Sequence, residues 1–148
     1  MLASHLGRPK GPDSKTSLKP AAERLSQLLG QKAELVPYCV GEAAKSAIAS
    51  LPAGQALLLE NVRWHPEEEK NDATFARELA SGCDLYVNDA FGSAHRAHAS
   101  TAGVAQYLSP CTAGFLMQKE LDYLGAPTTW HAHAGMHVFL WPGSHFAS

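Results

Sequence analysis

The sequence predicts an α/β fold, a three-layer α/β/α arrangement around a mostly parallel sheet. Three observations lead there. Short apolar runs alternate along the chain with stretches whose apolar residues recur at helical spacing. The run Ala56-Leu57-Leu58-Leu59 has no polar alternation, which suits a strand buried on both faces. Loops rich in Gly, Arg and His follow the apolar runs, and open parallel sheets place their ligand sites in such loops.

Taken in order, residues 1–3 form the stub of a strand, and residues 4–15 a loop of Gly, Pro and basic residues. Ser17 is placed to cap a helix with Leu18, Ala21, Ala22, Leu25, Leu28 and Leu29 inward, and Gly30 stops it. Residues 33–36, closed by Pro37, suit a strand. Ala44, Ala47, Ile48 and Leu51 share one face of a second helix over residues 41–50. After the strand at 56–59, Asn71 or Asp72 caps a third helix with Phe75 and Leu79 inward. Residues 85–87 read as another short buried strand. A helix over 101–108 is expected to turn Val104, Ala105 and Leu108 inward, and residues 113–117 form a last strand followed by a helix to Leu124.

A chain of 148 residues suits one domain. A compact fold of that size buries about 68–70% of the surface its unfolded chain exposes. An apolar content of 45% and a formal charge of -2 call for neither a nucleic acid nor a membrane partner. There is no run of 18 apolar residues and no signal-peptide pattern, so a cytoplasmic protein is expected, with an organelle as the alternative where a targeting segment precedes the chain. Cys39, Cys83 and Cys111, odd in number and widely spaced, suit buried free thiols that serve packing in a reducing compartment. The run Glu67-Glu68-Glu69 reads as a solvated loop.

The loops after the strands carry the candidate chemistry. His5 and Arg8 follow the first stub, Arg63 follows Leu59, and His95, Arg96 and His98 follow Val87. The carboxyl ends of parallel strands lie along one edge, so Arg8, Arg63 and Arg96 should converge. A single loop arginine is ordinarily a solvated charge. Three at corresponding strand ends, with His5, His95 and His98 beside them, suit a small, multiply charged anion, because guanidinium forks match phosphate and carboxylate oxygens.

The motifs in these loops are similar to those of the phosphoglycerate kinase family. Ser4-His5-Leu6-Gly7-Arg8-Pro9 resembles the loop after the family's second strand, and Leu57-Leu58-Leu59-Glu60-Asn61-Val62-Arg63 its fourth strand and loop. Tyr86-Val87-Asn88-Asp89-Ala90-Phe91-Gly92 and Ala94-His95-Arg96-Ala97-His98-Ala99-Ser100 resemble the fifth strand and substrate loop, and Ala113-Gly114-Phe115-Leu116-Met117 the sixth strand. The resemblance covers residues 2–124. It implies an incomplete N-terminal, substrate-binding domain in a family that is usually monomeric. Its glycolytic and carbon-fixing reaction moves a phosphoryl group reversibly between 1,3-bisphosphoglycerate and ADP. It also implies that His5, Arg8, Arg63 and Arg96 hold 3-phosphoglycerate or 1,3-bisphosphoglycerate, with His95 and His98 in the same basic patch.

Measured against that pattern, the family's first strand is missing, with the Asp, Asn and Arg its region supplies, and so is the nucleotide domain that holds Mg-ADP or Mg-ATP. No catalytic set is complete, no nucleotide-binding or metal residue is assigned, and no cofactor is expected for the chain itself. A fragment unable to turn over alone is therefore expected. A non-catalytic anion-binding or interaction module using the same basic patch is the alternative. The strand leading to Ser4 and the strand ending at Val87 should face each other across a gap. Domain boundaries are expected at 1–125 and 126–148. The latter is a poorly ordered, non-family tail with two of the three Trp, four of the eight His and no Asp, Glu, Lys or Arg. His131, His133 and His137 in that tail lack a neighbouring Cys, Asp or Glu, and an extension without a metal is the favoured reading.

Overall fold

The computed structural model describes residues 1–134, and their side chains as far as residue 124. Helix α1 spans Lys19–Leu29, strand β1 Ala33–Val36, helix α2 Glu42–Ala49 and strand β2 Ala56–Leu59. They are followed by the single turn α3, Pro66–Glu69, then α4, Ala73–Ala80, strand β3, Tyr86–Asn88, and α5, Phe91–Ala94. Strand β4, Cys111–Ala113, and the long helix α6, Phe115–Ala134, close the order. The alternation and the parallel pairing agree with the predicted α/β class.

β2 is the centre of the packing. Leu57 and Leu59 point to one face and join Val36, Val62, Phe75, Ala76, Leu79 and Val104 in the larger core cluster. Leu58 points to the other face and packs on Leu18 and Ala22 of the α1 region. One strand thus feeds two apolar layers, which explains its unbroken apolar sequence.

The helix boundaries follow local chemistry. Gly30 sits at φ 64 and ends α1 in the left-handed conformation that glycine accepts without steric cost. Asp72 caps α4 by accepting from the Phe75 N–H at 2.9 Å. At α1 the Ser17 hydroxyl accepts the Lys19 N–H at 3.2 Å, as predicted, and a second acceptor joins it. The Ser17 hydroxyl donates to Glu60 Oε2 at 2.7 Å, and Glu60 Oε1 accepts the Leu18 N–H at 2.7 Å. A carboxylate from the end of β2 therefore shares the capping with the serine it also holds.

Three expectations are corrected. The segment predicted as a helix over 101–108 is a π-type turn, Ala99–Gly103, followed by a 3-10 turn, Val104–Gln106. Val104 is buried there and Ala105 is exposed. β4 lies two residues before the predicted strand, and Phe115, Leu116 and Met117 begin α6 instead. Gly114 makes that break: its N–H donates to the Asn88 carbonyl at 2.8 Å, while Asp89 Oδ1 accepts the Leu116 and Met117 N–H groups. Third, residues 85–87 are not buried; Leu85 is 53% exposed and Val87 49%. The helix α6 continues through residue 126 to Ala134. His137 of the His-rich pattern and the rest of the tail lie outside the described residues.

The exposure of Leu85 and Val87 follows from the sheet topology. Among the described residues there are two separate parallel ladders, β1 with β2 and β3 with β4. Leu2 extends the first ladder through a parallel bridge to Leu58, with its N–H on the Leu57 carbonyl at 2.7 Å and its carbonyl accepting from Leu59 at 2.9 Å. No strand pair joins the Leu2 segment to β3. In a parallel ladder successive residues bond to opposite sides. Tyr86 and Asn88 bond to the β4 side, so the N–H and C=O of Val87 face the open edge. The expected separation between the two segments is present.

The π-type turn approaches α4 so closely that its glycine has a steric role. A Cβ at Gly103 would come within 2.6 Å of Asn71 Oδ1 and 2.7 Å of the Ala76 Cβ. Gly103→Ala should destabilise the chain by about 1–3 kcal/mol through overpacking, read as a lower urea midpoint. Gly92→Ala, where a Cβ meets nothing within 4 Å, is the matched control and should leave the midpoint nearly unchanged.

Candidate anion site

The site is built from the ends of the Leu2 segment, β2 and β3. At the end of β2 the chain turns through Asn61, whose side chain is completely buried. Its Nδ2 donates to the Leu6 carbonyl at 2.8 Å and to the Thr16 carbonyl at 2.8 Å. Its Oδ1 accepts the Arg63 N–H at 3.1 Å. One amide therefore ties both ends of the His5–Arg8 loop region to the turn that carries Arg63. The Val62 N–H adds a bond to the Ser4 carbonyl at 3.1 Å.

Arg63 reaches across this junction. Its Nη1 donates to the Gly7 carbonyl at 3.1 Å, one residue from Arg8. Its Nε lies 3.7 Å from Glu69 Oε1 and is a buried donor without a hydrogen-bond partner. Burial lowers the Arg63 pKa. Glu69 opposes that shift, and the positive charges of Arg96 and Arg8 add to it. The same field acts on His5: burial lowers its pKa below the ordinary 6.5, and Arg63, His98 and Arg96 lower it further. Arg8, Arg63, Arg96, His5 and His98 thus belong to one electrostatic neighbourhood, although they come from three loops.

The third loop is fixed from several sides. The Thr101 hydroxyl donates to the Arg96 carbonyl at 2.8 Å and accepts the His98 N–H at 3.2 Å. The Tyr86 hydroxyl donates to the Ser100 carbonyl at 2.9 Å, and burial pushes that phenol up to about 12. His95 is exposed, and its Nε2 accepts from Arg96 Nε at 3.2 Å. His98 is buried with its Nδ1 3.9 Å from Glu68 Oε1. Burial lowers its pKa; Glu68 and Glu69 counteract this, and Arg63 and Arg96 reinforce it.

The family model for phosphoglycerate kinase matches residues 1–140 of the chain. The chain belongs to the phosphoglycerate kinase family. A cytosolic phosphoglycerate kinase of Triticum aestivum is 64% identical over 124 residues, covering 84% of this chain and 31% of that protein. A chloroplastic one of Volvox carteri is 62% identical over 125 residues, covering 84% and 27%. The solved phosphoglycerate kinase of Coxiella burnetii superimposes with a TM-score of 0.72 at 39% identity, over 83% of this chain and 30% of that one. That of Pyrococcus horikoshii OT3 gives 0.73 at 33% identity, over 92% and 34%. The chain thus spans about a third of the length of the family members it matches.

Within the family portion, several residues that shape the site were missed by sequence reasoning or misread by it. Glu68 is 2% exposed, although the acidic run suggested a solvated loop. Consecutive residues of a helical turn point about 100° apart, so one of three glutamates faces inward. Asn61, Ser100 and Thr101 carry no signal beyond their place in the motifs. Of the cysteines, Cys39 is buried, donates to the Glu60 carbonyl at 3.1 Å and is pushed by burial up to about 12, which fits packing. Cys111 is exposed, which corrects the expectation of a packing role there.

The lowered pKa values of His5 and His98 set a pH dependence. Unfolded histidine takes its proton near 6.5, while these two take it only at lower pH when folded. The unfolded state binds more protons in that window, so stability falls as pH drops below 6.5 toward the folded values. Urea midpoints measured between about pH 7 and pH 5.5 should decline, and His5→Asn with His98→Asn should flatten the decline.

Proposed function

We propose that the cleft lined by His5, Arg8, Arg63 and Arg96 binds 3-phosphoglycerate or 1,3-bisphosphoglycerate, with His95 and His98 at its margin. The chain is then the substrate-holding part of a phosphoglycerate kinase and does not complete a turnover by itself. The observation that carries this reading is the placement of Arg63, whose Nη1 donates to the Gly7 carbonyl beside Arg8 at 3.1 Å and whose charge, with that of Arg96, acts on His5. Such a cluster is self-repelling, and a ligand with a phosphate and a carboxylate offers each fork an anionic partner.

Phosphoryl transfer depends on holding donor and acceptor in line and neutralising the charge of the moving group. This chain's contribution is the phosphoglycerate side, 3-phosphoglycerate as acceptor or 1,3-bisphosphoglycerate as donor. The guanidiniums bind and orient the anion, while Asn61 and Thr101 keep their loops from shifting. Magnesium nucleotide supplies the other phosphoryl partner in the family's reaction. The sequence has no Gly-rich phosphate loop, and no group of three His, Cys, Asp or Glu among the described residues is placed to hold a metal ion. The residues present do not fit that group.

The cytoplasm is the proposed compartment; relatives are named as cytosolic and as chloroplastic. No described helix is long and apolar enough to cross a membrane. The division into residues 1–125 and a distinct tail, 126–148, belongs to the same proposal and rests on the change in composition.

Calorimetric titration with 3-phosphoglycerate tests the reading. Binding should be saturable, and Arg63→Ala or Arg96→Ala should each weaken it by about 30-fold, or about 2 kcal/mol. Arg63→Lys should recover only part, because it restores the charge without the fork. A coupled kinase assay on the purified chain should show no turnover. Binding that ignores both alanine substitutions would rule out the cleft, and turnover comparable to the full-length relatives would rule out the incomplete-enzyme reading.

A further inference from the structure

The buried Glu68 has no part in the anion contacts described above, yet it is placed where it can control them. It lies on the single-turn α3, directly after the turn that carries Arg63, and its side chain is directed into the loop that carries Arg96. Oε2 accepts the Ser100 N–H at 2.9 Å, and Oε1 accepts the Ser100 hydroxyl at 2.5 Å. Both bonds end on the first turn of the π-type segment, Ala99–Gly103. The carboxylate also stands 3.9 Å from His98 Nδ1.

We propose that Glu68 is a positioning residue for the anion cleft, holding Ser100 and His98 so that the loop bearing Arg96 is fixed relative to Arg63. The inference rests on the reading of the cleft as an anion site.

The argument is one of geometry and cost. A carboxylate withdrawn from water is tolerated only where donors replace the solvent. Here each oxygen has one donor, and both donors belong to the same residue of the neighbouring loop. Any movement of Ser100 would strip both bonds from a buried anion, so the Glu68–Ser100 contact acts as a stiff link between α3 and the π-type turn. Thr101 passes the constraint back along the loop, since its hydroxyl joins the His98 N–H to the Arg96 carbonyl. The charge contributes as well. His98 faces Glu68 and Glu69 from α3, Arg63 from the preceding turn, and Arg96 on its own loop, and it acts electrostatically on His5. Glu68 is therefore the buried negative charge that offsets part of the arginine field at His98.

Two measurements on the full chain test this. The first follows the protonation of His98 by NMR in the free protein and in Glu68→Gln. The amide keeps the size of the side chain and removes the charge, so the His98 midpoint should move to lower pH. The second is the 3-phosphoglycerate titration. Glu68→Gln should bind roughly tenfold more weakly, since one Ser100 bond loses its acceptor. Ser100→Ala, which keeps the N–H bond and the charge, should lose a smaller factor and leave the His98 midpoint in place.

A Glu68 that merely fills space predicts neither change, and an unmoved His98 midpoint in Glu68→Gln overturns the proposal. Should Glu68→Gln fail to fold, Ser100→Ala decides, and wild-type affinity in that variant overturns it. An unsubstituted chain that does not bind 3-phosphoglycerate refutes the anion reading; the His98 titration still judges the Glu68 contact.

Discussion

Two neighbouring side chains at the end of β2 hold the structure in place. Glu60 turns toward α1 and accepts from Ser17, from the Leu18 N–H and from the Asn61 N–H at 2.8 Å. Asn61 turns toward the basic loops and satisfies the Leu6 and Thr16 carbonyls and the Arg63 N–H. Both are buried beside an apolar strand, where an unpaired polar group costs roughly 1–3 kcal/mol. The surrounding backbone must bring its donors and acceptors to them, and in doing so it fixes where α1 begins and where the His5 and Arg63 loops meet. Mutual dependence of this kind gives a loop cluster the rigidity of the sheet beneath it.

The basic loops show how charges distant in sequence come to act on one another. Arg63 feels the charges of both Arg96 and Arg8, and it is held by the Gly7 carbonyl at 3.1 Å and lies 3.7 Å from Glu69 on α3. Glu69 approaches Arg63 from the partly exposed side, while Glu68 is buried. Burial first, and then the charges of Arg63 and Arg96, hold the pKa values of His5 and His98 below the ordinary 6.5.

Much of this was legible in the residues, and the exceptions have physical causes. The strand at β2 could be read because Ala-Leu-Leu-Leu has one plausible environment, and the end of α1 because Gly30 accepts a positive φ. Asp72 revealed the start of α4 for the same local reason. Ser17 could be read as a cap of α1, while the acceptor of the Leu18 N–H could not, since it is 42 residues away in sequence. β4 was shifted because Phe115, Leu116 and Met117 look more strand-like than Cys111 and Thr112, and the N–H groups of Leu116 and Met117 donating to Asp89 decide the matter. The inward turn of Glu68 depended on a packing partner, Ser100, that no local pattern announces.

The division of the sheet bears on how the molecule behaves in company. Among the described residues the N–H and C=O of Val87 have no strand partner, Leu85 beside them is half-exposed, and Leu2 is 42% exposed on the other ladder. A flat apolar edge of this kind is a template for any other extended chain, including another copy of this one. Natural sheets usually guard such edges with lysine, proline or a bulge, and Tyr86, Val87 and Asn88 include none of these side chains. A second extended segment that met this edge would find backbone partners at Val87 and an apolar contact at Leu85, over the three residues that β3 offers.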